Sequence, residues 1–134
     1  MPFVLDNSVV TGWYIPDQAT AYTQSIAQRL ETDRAIVPAL WQLEFANVLK
    51  TACTRGKLSL DNAREIVLTI ATLPIELDSG LAPGPRQLLD LAMRYSLSSY
   101  DAAYLELAMR HGIPIACQDA KLKEASLQAG VVVL

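Results

Sequence analysis

Phe3-Val4-Leu5-Asp6-Asn7-Ser8 begins with three apolar residues of strand type and stops on a polar turn. Near the other end, Pro114-Ile115-Ala116-Cys117-Gln118-Asp119 has the same shape: a short apolar run, then an aspartate, then a segment of helical spacing. Runs this short, apolar throughout rather than alternating, suit strands that are covered on both faces. Ala35-Ile36-Val37 before Pro38 is another, and Ile75-Glu76-Leu77 after Pro74 reads as a further short strand. Val131 to Leu134 reads as a last strand.

Helical spacing fills the intervals. Gln18 to Glu31 repeats through Ala21, Ile26, Ala27 and Leu30. Leu40 to Cys53 carries Trp41, Phe45, Val48, Leu49 and Ala52 on one face, and Gly56 ends it. Ser59 opens a helix with Ala63, Ile66, Val67, Ile70 and Ala71 on its apolar side. Leu81 to Pro85 is a loop rich in breakers. Further helices are expected over Pro85 to Tyr95, from Ser98 or Ser99 to Gly112, and over Ala120 to Ala129. Short apolar strands alternating with helices predict an α/β fold in three layers, with a central, mostly parallel sheet. Residues 1–134 are expected to form one domain, because half of this length would bury too small a core.

Composition narrows the classes. The chain is 51% hydrophobic and 19% charged, with a net charge of −3, which excludes a disordered chain. No run of about 18 apolar residues is present, so no membrane span is expected. The first residues lack the pattern of a signal peptide. Cys53 and Cys117 are far apart and in no metal-binding spacing, which points to a reducing cytoplasm. The chain is not basic, so a nucleic-acid role has to come from a site rather than from bulk charge.

Four acids stand in places that bear on chemistry. Asp6 and Asp119 each follow a strand and precede a polar or helical segment, where an aspartate either caps a helix or serves a ligand. Glu44 projects at the margin of the apolar stripe of its helix, where an unpaired carboxylate is costly. Asp101 points with the apolar stripe of its own helix, away from Glu106 and Arg110 on the polar side, while Ser98-x-x-Asp101 also fits a capping pattern. Two carboxylates about 5 Å apart repel by roughly 3 kcal/mol at an effective dielectric of about 20. Four together call for protons or a cation, and hard oxygen ligands suit Mg²⁺ or Mn²⁺. The single histidine, His111, lies beside Gly112 at a helix end, where it favours the helix dipole, so no Ser-His-Asp or Cys-His set is in view. Setting the four acids aside leaves 11 bases and 10 acids. The rest of the surface is thus near neutral, and Arg55, Lys57, Lys121 and Lys123 are candidates to hold a phosphate backbone.

Val4-Leu5-Asp6-Asn7-Ser8, Glu44-Phe45-Ala46-Asn47-Val48-Leu49, Ser98-Ser99-Tyr100-Asp101-Ala102-Ala103-Tyr104-Leu105 and Gln118-Asp119-x-x-Leu122 together resemble the PIN-domain ribonucleases. The nearest group is the VapC-type toxins of toxin–antitoxin pairs. The resemblance runs through essentially the whole chain, and its Ser-x-Tyr-Asp-Ala-x-Tyr segment is the most specific part. It implies a PIN-like α/β/α domain whose acidic quartet is Asp6, Glu44, Asp101 and Asp119. Ser8 matches a small hydroxyl residue near the site, and Asn47 a polar one. Many members carry Thr where this chain has Cys117, a weaker hydrogen-bond partner, which puts the orientation of Asp119 in question.

The implied activity is Mg²⁺- or Mn²⁺-dependent hydrolysis of RNA phosphodiester bonds in single-stranded or looped regions. The implied partners are an RNA substrate, a small VapB-like antitoxin and a second copy in a homodimer. Trp13, Tyr14, Ile15 and Trp41 read either as ordinary core or as a groove for an amphipathic antitoxin segment. A receiver domain fits poorly, because the late strand ends in Asp119 where a lysine would be needed. A haloacid-dehalogenase phosphatase would need a second aspartate at the place of Ser8. A catalytically silent module of the same fold is the remaining alternative.

Overall fold

The computed structural model describes all residues, Met1–Leu134. In chain order the elements are β1 (Phe3–Leu5), α1 (Asn7–Tyr14), α2 (Ala21–Arg29), β2 (Ala35–Val37), α3 (Leu40–Thr54), α4 (Leu60–Ile70), β3 (Ile75–Leu77), α5 (Pro85–Tyr95), α6 (Ser99–His111), β4 (Ile115–Ala116) and α7 (Ala120–Gln128). The four strands form one parallel sheet in the order β3-β2-β1-β4. Val4 pairs with Ile36 on one side and Ile115 on the other. Every residue of β1, β2 and β4 is buried, as their unbroken apolar runs require. The edge strand β3 is half-buried to exposed. On the helical layers, α1 packs on α2 and α3, α3 packs on α4, and α6 packs on α5, α7 and β1. Twenty-eight buried apolar residues form one continuous core from Phe3 to Val131.

The order of strands matters most for function. From β1 the chain steps outward to β2 and β3, then returns to place β4 on the other side of β1. The boundary between β1 and β4 is therefore the switch point of the sheet, and the crevice beyond the strand carboxyl ends opens there. Asp6 directly follows β1, and Asp119 follows β4 after Cys117 and Gln118, the strand expected over Pro114–Cys117 being confined to Ile115–Ala116.

Two elements differ from the sequence expectation. Val131 to Leu134 is not a full strand: only Val133 bridges to Ile115, with Ile115 N–H donating to the Val132 carbonyl and Leu134 N–H to that of Ile115. Helix α1, in contrast, has no clear helical signal. Val9, Val10, Thr11 and Gly12 are poor helix formers, yet Val9 and Val10 are fully buried. Asp6 caps the helix by accepting from Ser8 N–H at 3.4 Å. Burial and a cap together override propensity here.

Gly12 is where α1 and α2 cross. A Cβ at this position would run into the Thr23 methyl, and would lie 2.8 Å from Thr23 Cβ and 2.9 Å from the Gln18 carbonyl oxygen. Trp13 Nε1 donates to the Thr23 carbonyl at 2.7 Å beside this crossing. Gly12→Ala is expected to destabilise the protein by about 1–3 kcal/mol. A lowered urea midpoint at unchanged slope would record it, and a wild-type midpoint would mean that the two helices separate freely.

Of the aromatic cluster, Ile15 and Trp41 are buried, while Trp13 and Tyr14 are half-buried in an edge-to-face pair at 6.4 Å. Trp41 stacks on Phe45 at 5.1 Å. On α4, Ala63 and Ile70 are buried, but Val67 and Ala71 of its apolar side are exposed. Helix α6 also departs from expectation. Glu106, read as marking a solvent face, is 5% exposed. It is covered because α6 is buried all round from Ala102 to Ala108, and its charge is met by Arg110 Nε at 2.6 Å.

Candidate active site

The four acids come from four elements, and each is aimed by a local device. Asp6 is the N-cap of α1 and is 6% exposed. Its Oδ2 accepts from Ser8 Oγ at 2.5 Å. Asp119 is the N-cap of α7, accepting from Leu122 N–H at 2.9 Å. Asp101 lies in the first turn of α6, where its N–H donates to the Ser98 hydroxyl at 3.1 Å. Glu44 sits in the second turn of α3, half-buried, and accepts from the Tyr104 hydroxyl at 2.6 Å.

The electrostatics tie them into one group. Burial raises the pKa of Asp6, and the charge of Glu44 adds to this against the Ser8 hydrogen bond. Burial also raises Glu44, with Asp101 adding to the effect and Tyr104 opposing it. Asp101 is pushed up to about 6 by burial and by the charges of Asp6 and Asp119, while Ser98 and Lys121 pull it down. Asp6, Glu44 and Asp101 thus each feel another acid of the group across the crevice.

Ser8 holds the two strand ends together. Besides its bond to Asp6, its Oγ accepts from Gln118 N–H at 3.1 Å, and its carbonyl accepts from Gln118 Nε2 at 3.0 Å. Cys117 is fully buried, and burial pushes its thiol up to about 12, so it stays neutral. Its N–H donates to the Tyr22 hydroxyl at 3.2 Å, which donates onward to the Leu134 carbonyl at 2.7 Å. Asp119 takes its orientation here from its own cap bond to Leu122 N–H.

Other candidate residues lie further out. Asn47 is exposed one turn along α3 from Glu44. Arg55, at the end of α3, is eleven residues beyond Glu44, or roughly 16 Å along the helix axis. Lys57 pairs with Asp17 at 3.5 Å. Lys121 is close enough to Asp101 to stabilise its charge. Lys123 lies 5.2 Å over the Tyr22 ring. His111 faces Asp78, with Nε2 3.1 Å from Oδ1, rather than serving its helix end alone. Tyr104 and Gln118 were not singled out from the sequence. Tyr104 lies within the Ser-x-Tyr-Asp-Ala-x-Tyr segment, one turn beyond Asp101, and that spacing was the available signal.

A family model described as the PIN domain matches residues 3–127. The chain belongs to the PIN-domain family. The PIN domain is a nuclease fold, and its members usually use divalent metal ions. The fold is similar to two solved structures. PAE2754 from Pyrobaculum aerophilum is 16% identical with a TM-score of 0.75, over 99% of this chain and 89% of that one. FitAcB from Neisseria gonorrhoeae is 15% identical with a TM-score of 0.65, over 100% of this chain and 96% of that one. No curated protein matches the chain. No helix of this PIN domain is long and apolar enough to cross a membrane.

The acidic crevice fits a hydrated hard cation. No three histidine, cysteine or carboxylate side chains converge closely enough to enclose an ion by themselves. Mg²⁺ is usually held in that open manner, by one or two carboxylates, with waters and substrate oxygens completing the shell. Next to Asp6, Asn7 Oδ1 is a buried acceptor without a protein donor, and a bound water would satisfy it.

Proposed function

We propose that this PIN domain is a metal-dependent endoribonuclease, the VapC-type toxin of a toxin–antitoxin pair. The observation that carries the reading is the meeting of Asp6, Glu44, Asp101 and Asp119 at the switch point of a parallel sheet. Three of these acids have their protons held more tightly than usual, by burial and by one another. Asp6, Glu44 and Asp101 would hold Mg²⁺ or Mn²⁺, in part through bound water, with Asp119 at the margin. The bound ion supplies an activated water and stabilises the leaving oxygen in an in-line displacement.

The chain's own groups do the positioning. Ser8 steadies Asp6 and joins the β1 and β4 turns. The Tyr104 hydroxyl fixes one oxygen of Glu44 and leaves the other to the crevice. Burial raises the pKa of this phenol, and Glu44 raises it further, so it remains a donor at any working pH. Asn47 and the basic residues Lys121, Lys123, Arg55 and Lys57 are assigned to substrate contacts. A small antitoxin is the proposed partner. An apolar hollow of about 440 Å³ between α3, α4 and β3, lined by Trp41, Phe45, Val67, Ile70, Ile75 and Leu77, supports such a contact. A homodimer in the cytoplasm completes the proposal.

Tyr104→Phe keeps the ring and removes only the donor. It is expected to weaken Mn²⁺ binding about 10–100-fold, with little change in melting temperature. Calorimetric titration beside a thermal melt checks this, and unaltered Mn²⁺ affinity would show that Glu44 needs no such support.

The deciding experiment is cleavage of total cellular RNA by the purified protein, with Mg²⁺, with Mn²⁺ and with EDTA, alongside Asp6→Asn. Discrete products that need metal and vanish in the variant are expected. Absence of cleavage by a folded, antitoxin-free protein that also binds no Mn²⁺ would favour a silent module of the same fold.

A further inference from the structure

A second polar cleft opens beside the acids, between the end of α5 and the outer face of α7. It has a volume of about 360 Å³ and is lined chiefly by Arg94, Tyr95, Ser96, Lys121, Glu124 and Gln128. Two cations face it. Neither Arg94 nor Lys121 belongs to any of the ion pairs of the molecule. The Arg94 guanidinium lies 5.4 Å above the centroid of the Tyr95 ring, an arrangement that leaves its edge free to donate. Glu124 is the one acid in the lining, and its Oε1 accepts from Gln128 Nε2 at 3.5 Å.

The cleft is joined to the acidic crevice at both ends of its lining. Lys121 is two residues beyond Asp119, and its charge is felt at Asp101. Ser96, in the left-handed conformation with φ 55°, ends α5 and turns the chain toward Ser98, the cap of α6. A strand with one phosphate at the acids would run next past Lys121, and Arg94 shares the cleft with Lys121. An anionic backbone approaching four carboxylates needs a cationic guide, and Lys121 and Arg94 share one cleft.

We infer that this cleft is the track for the RNA backbone flanking the scissile bond, with Lys121 and Arg94 each holding a phosphodiester. The assignment rests on the nuclease reading above. It names the ligand as single-stranded RNA, held through phosphate rather than base. Arg94 thereby acquires a substrate role, and Lys121 is separated from Lys123, Arg55 and Lys57.

The test is fluorescence anisotropy with a short labelled single-stranded RNA of mixed sequence, in EDTA so that no cleavage intervenes. Arg94→Ala and Lys121→Ala are each expected to weaken binding about 3–10-fold and to lower the slope of log affinity against log salt by about one. In cleavage assays with Mn²⁺, Arg94→Ala should raise KM and spare kcat, since Arg94 lies away from the acids along the cleft. Arg34→Ala, before β2 at the amino end of the sheet, and Arg64→Ala, on α4, serve as charge-matched controls. Equal losses in all four variants, or none in Arg94→Ala and Lys121→Ala while the parent protein binds RNA, would overturn the track alone. A parent protein that neither binds nor cleaves RNA would overturn the nuclease reading and the track with it.

Discussion

Asp101→Asn is expected to abolish metal-dependent RNA cleavage, by a factor on the order of 10³ or more, while making the metal-free protein more stable at neutral pH. The two effects share one cause. Asp101 stands among carboxylates, and burial with the charges of Asp6 and Asp119 moves its pKa from 3.8 to about 6. Between those values the folded protein keeps a proton that the unfolded chain has released. Stability therefore falls as pH rises from about 4 to about 6, and stays lowered above that range. The effect is of order 2 kcal/mol once solvent on the open side of the group is allowed for. Asparagine removes the charge and the pH slope together, and the Ser98 cap survives because it uses the backbone N–H of residue 101. Urea unfolding in EDTA at pH 4.5 and at pH 8 checks the prediction. The gap between variant and parent should widen with pH, and a gap that is constant or reversed would mean that the four acids do not strain the fold. Adding Mn²⁺ should stabilise the parent at pH 8 and leave the variant nearly unchanged.

Arg110→Ala is expected to cost about 3–5 kcal/mol, the largest loss of stability for a single residue outside the apolar core. Arg110 Nε and Nη2 reach Glu106 at 2.6 and 3.2 Å, and Nη2 also reaches Asp78 at 2.7 Å. Glu106 is buried, so truncating Arg110 would leave a charge in the interior with no partner. Asp78 is held down to about 2, chiefly by its bond to Arg110. Its depressed pKa means that this contribution is complete above about pH 4 and is lost as pH falls toward 2. Thermal melts of Arg110→Ala and of Arg110→Ala with Glu106→Gln separate the causes. The double variant should recover part of the loss, because it removes the stranded charge. No recovery would place the cost in the lost packing of the arginine stem instead.

How much of this was legible beforehand follows the range of each signal. The strands Phe3–Leu5 and Ala35–Val37 stand out as apolar runs beside turn residues, Ile75–Leu77 as a short segment after Pro74, and helices α3, α5, α6 and α7 through their periodicity. The ends of elements were less visible: α2 starts at Ala21 rather than Gln18, because Thr20 supplies its cap. Helix α1 had no signal of its own. Glu106 was misplaced on a solvent face, because periodicity records where polar residues recur and not what covers them.

The sequence by itself determined the alternation of strand and helix and the placing of Asp6 and Asp119 after strands. It also determined the unease of Glu44 and Asp101 on apolar helix faces. These follow from chemistry within a turn or two of the residue concerned. Tertiary structure alone decided that β1 and β4 are neighbours, so that Ser8 bonds a residue 110 positions away. It alone brought the Tyr104 hydroxyl to Glu44 across 60 positions, and it alone set Arg94 and Lys121 into one cleft. The reason is that such meetings depend on strand order and on which helix covers which face. Those are settled by packing the whole core at once, and no local pattern carries them.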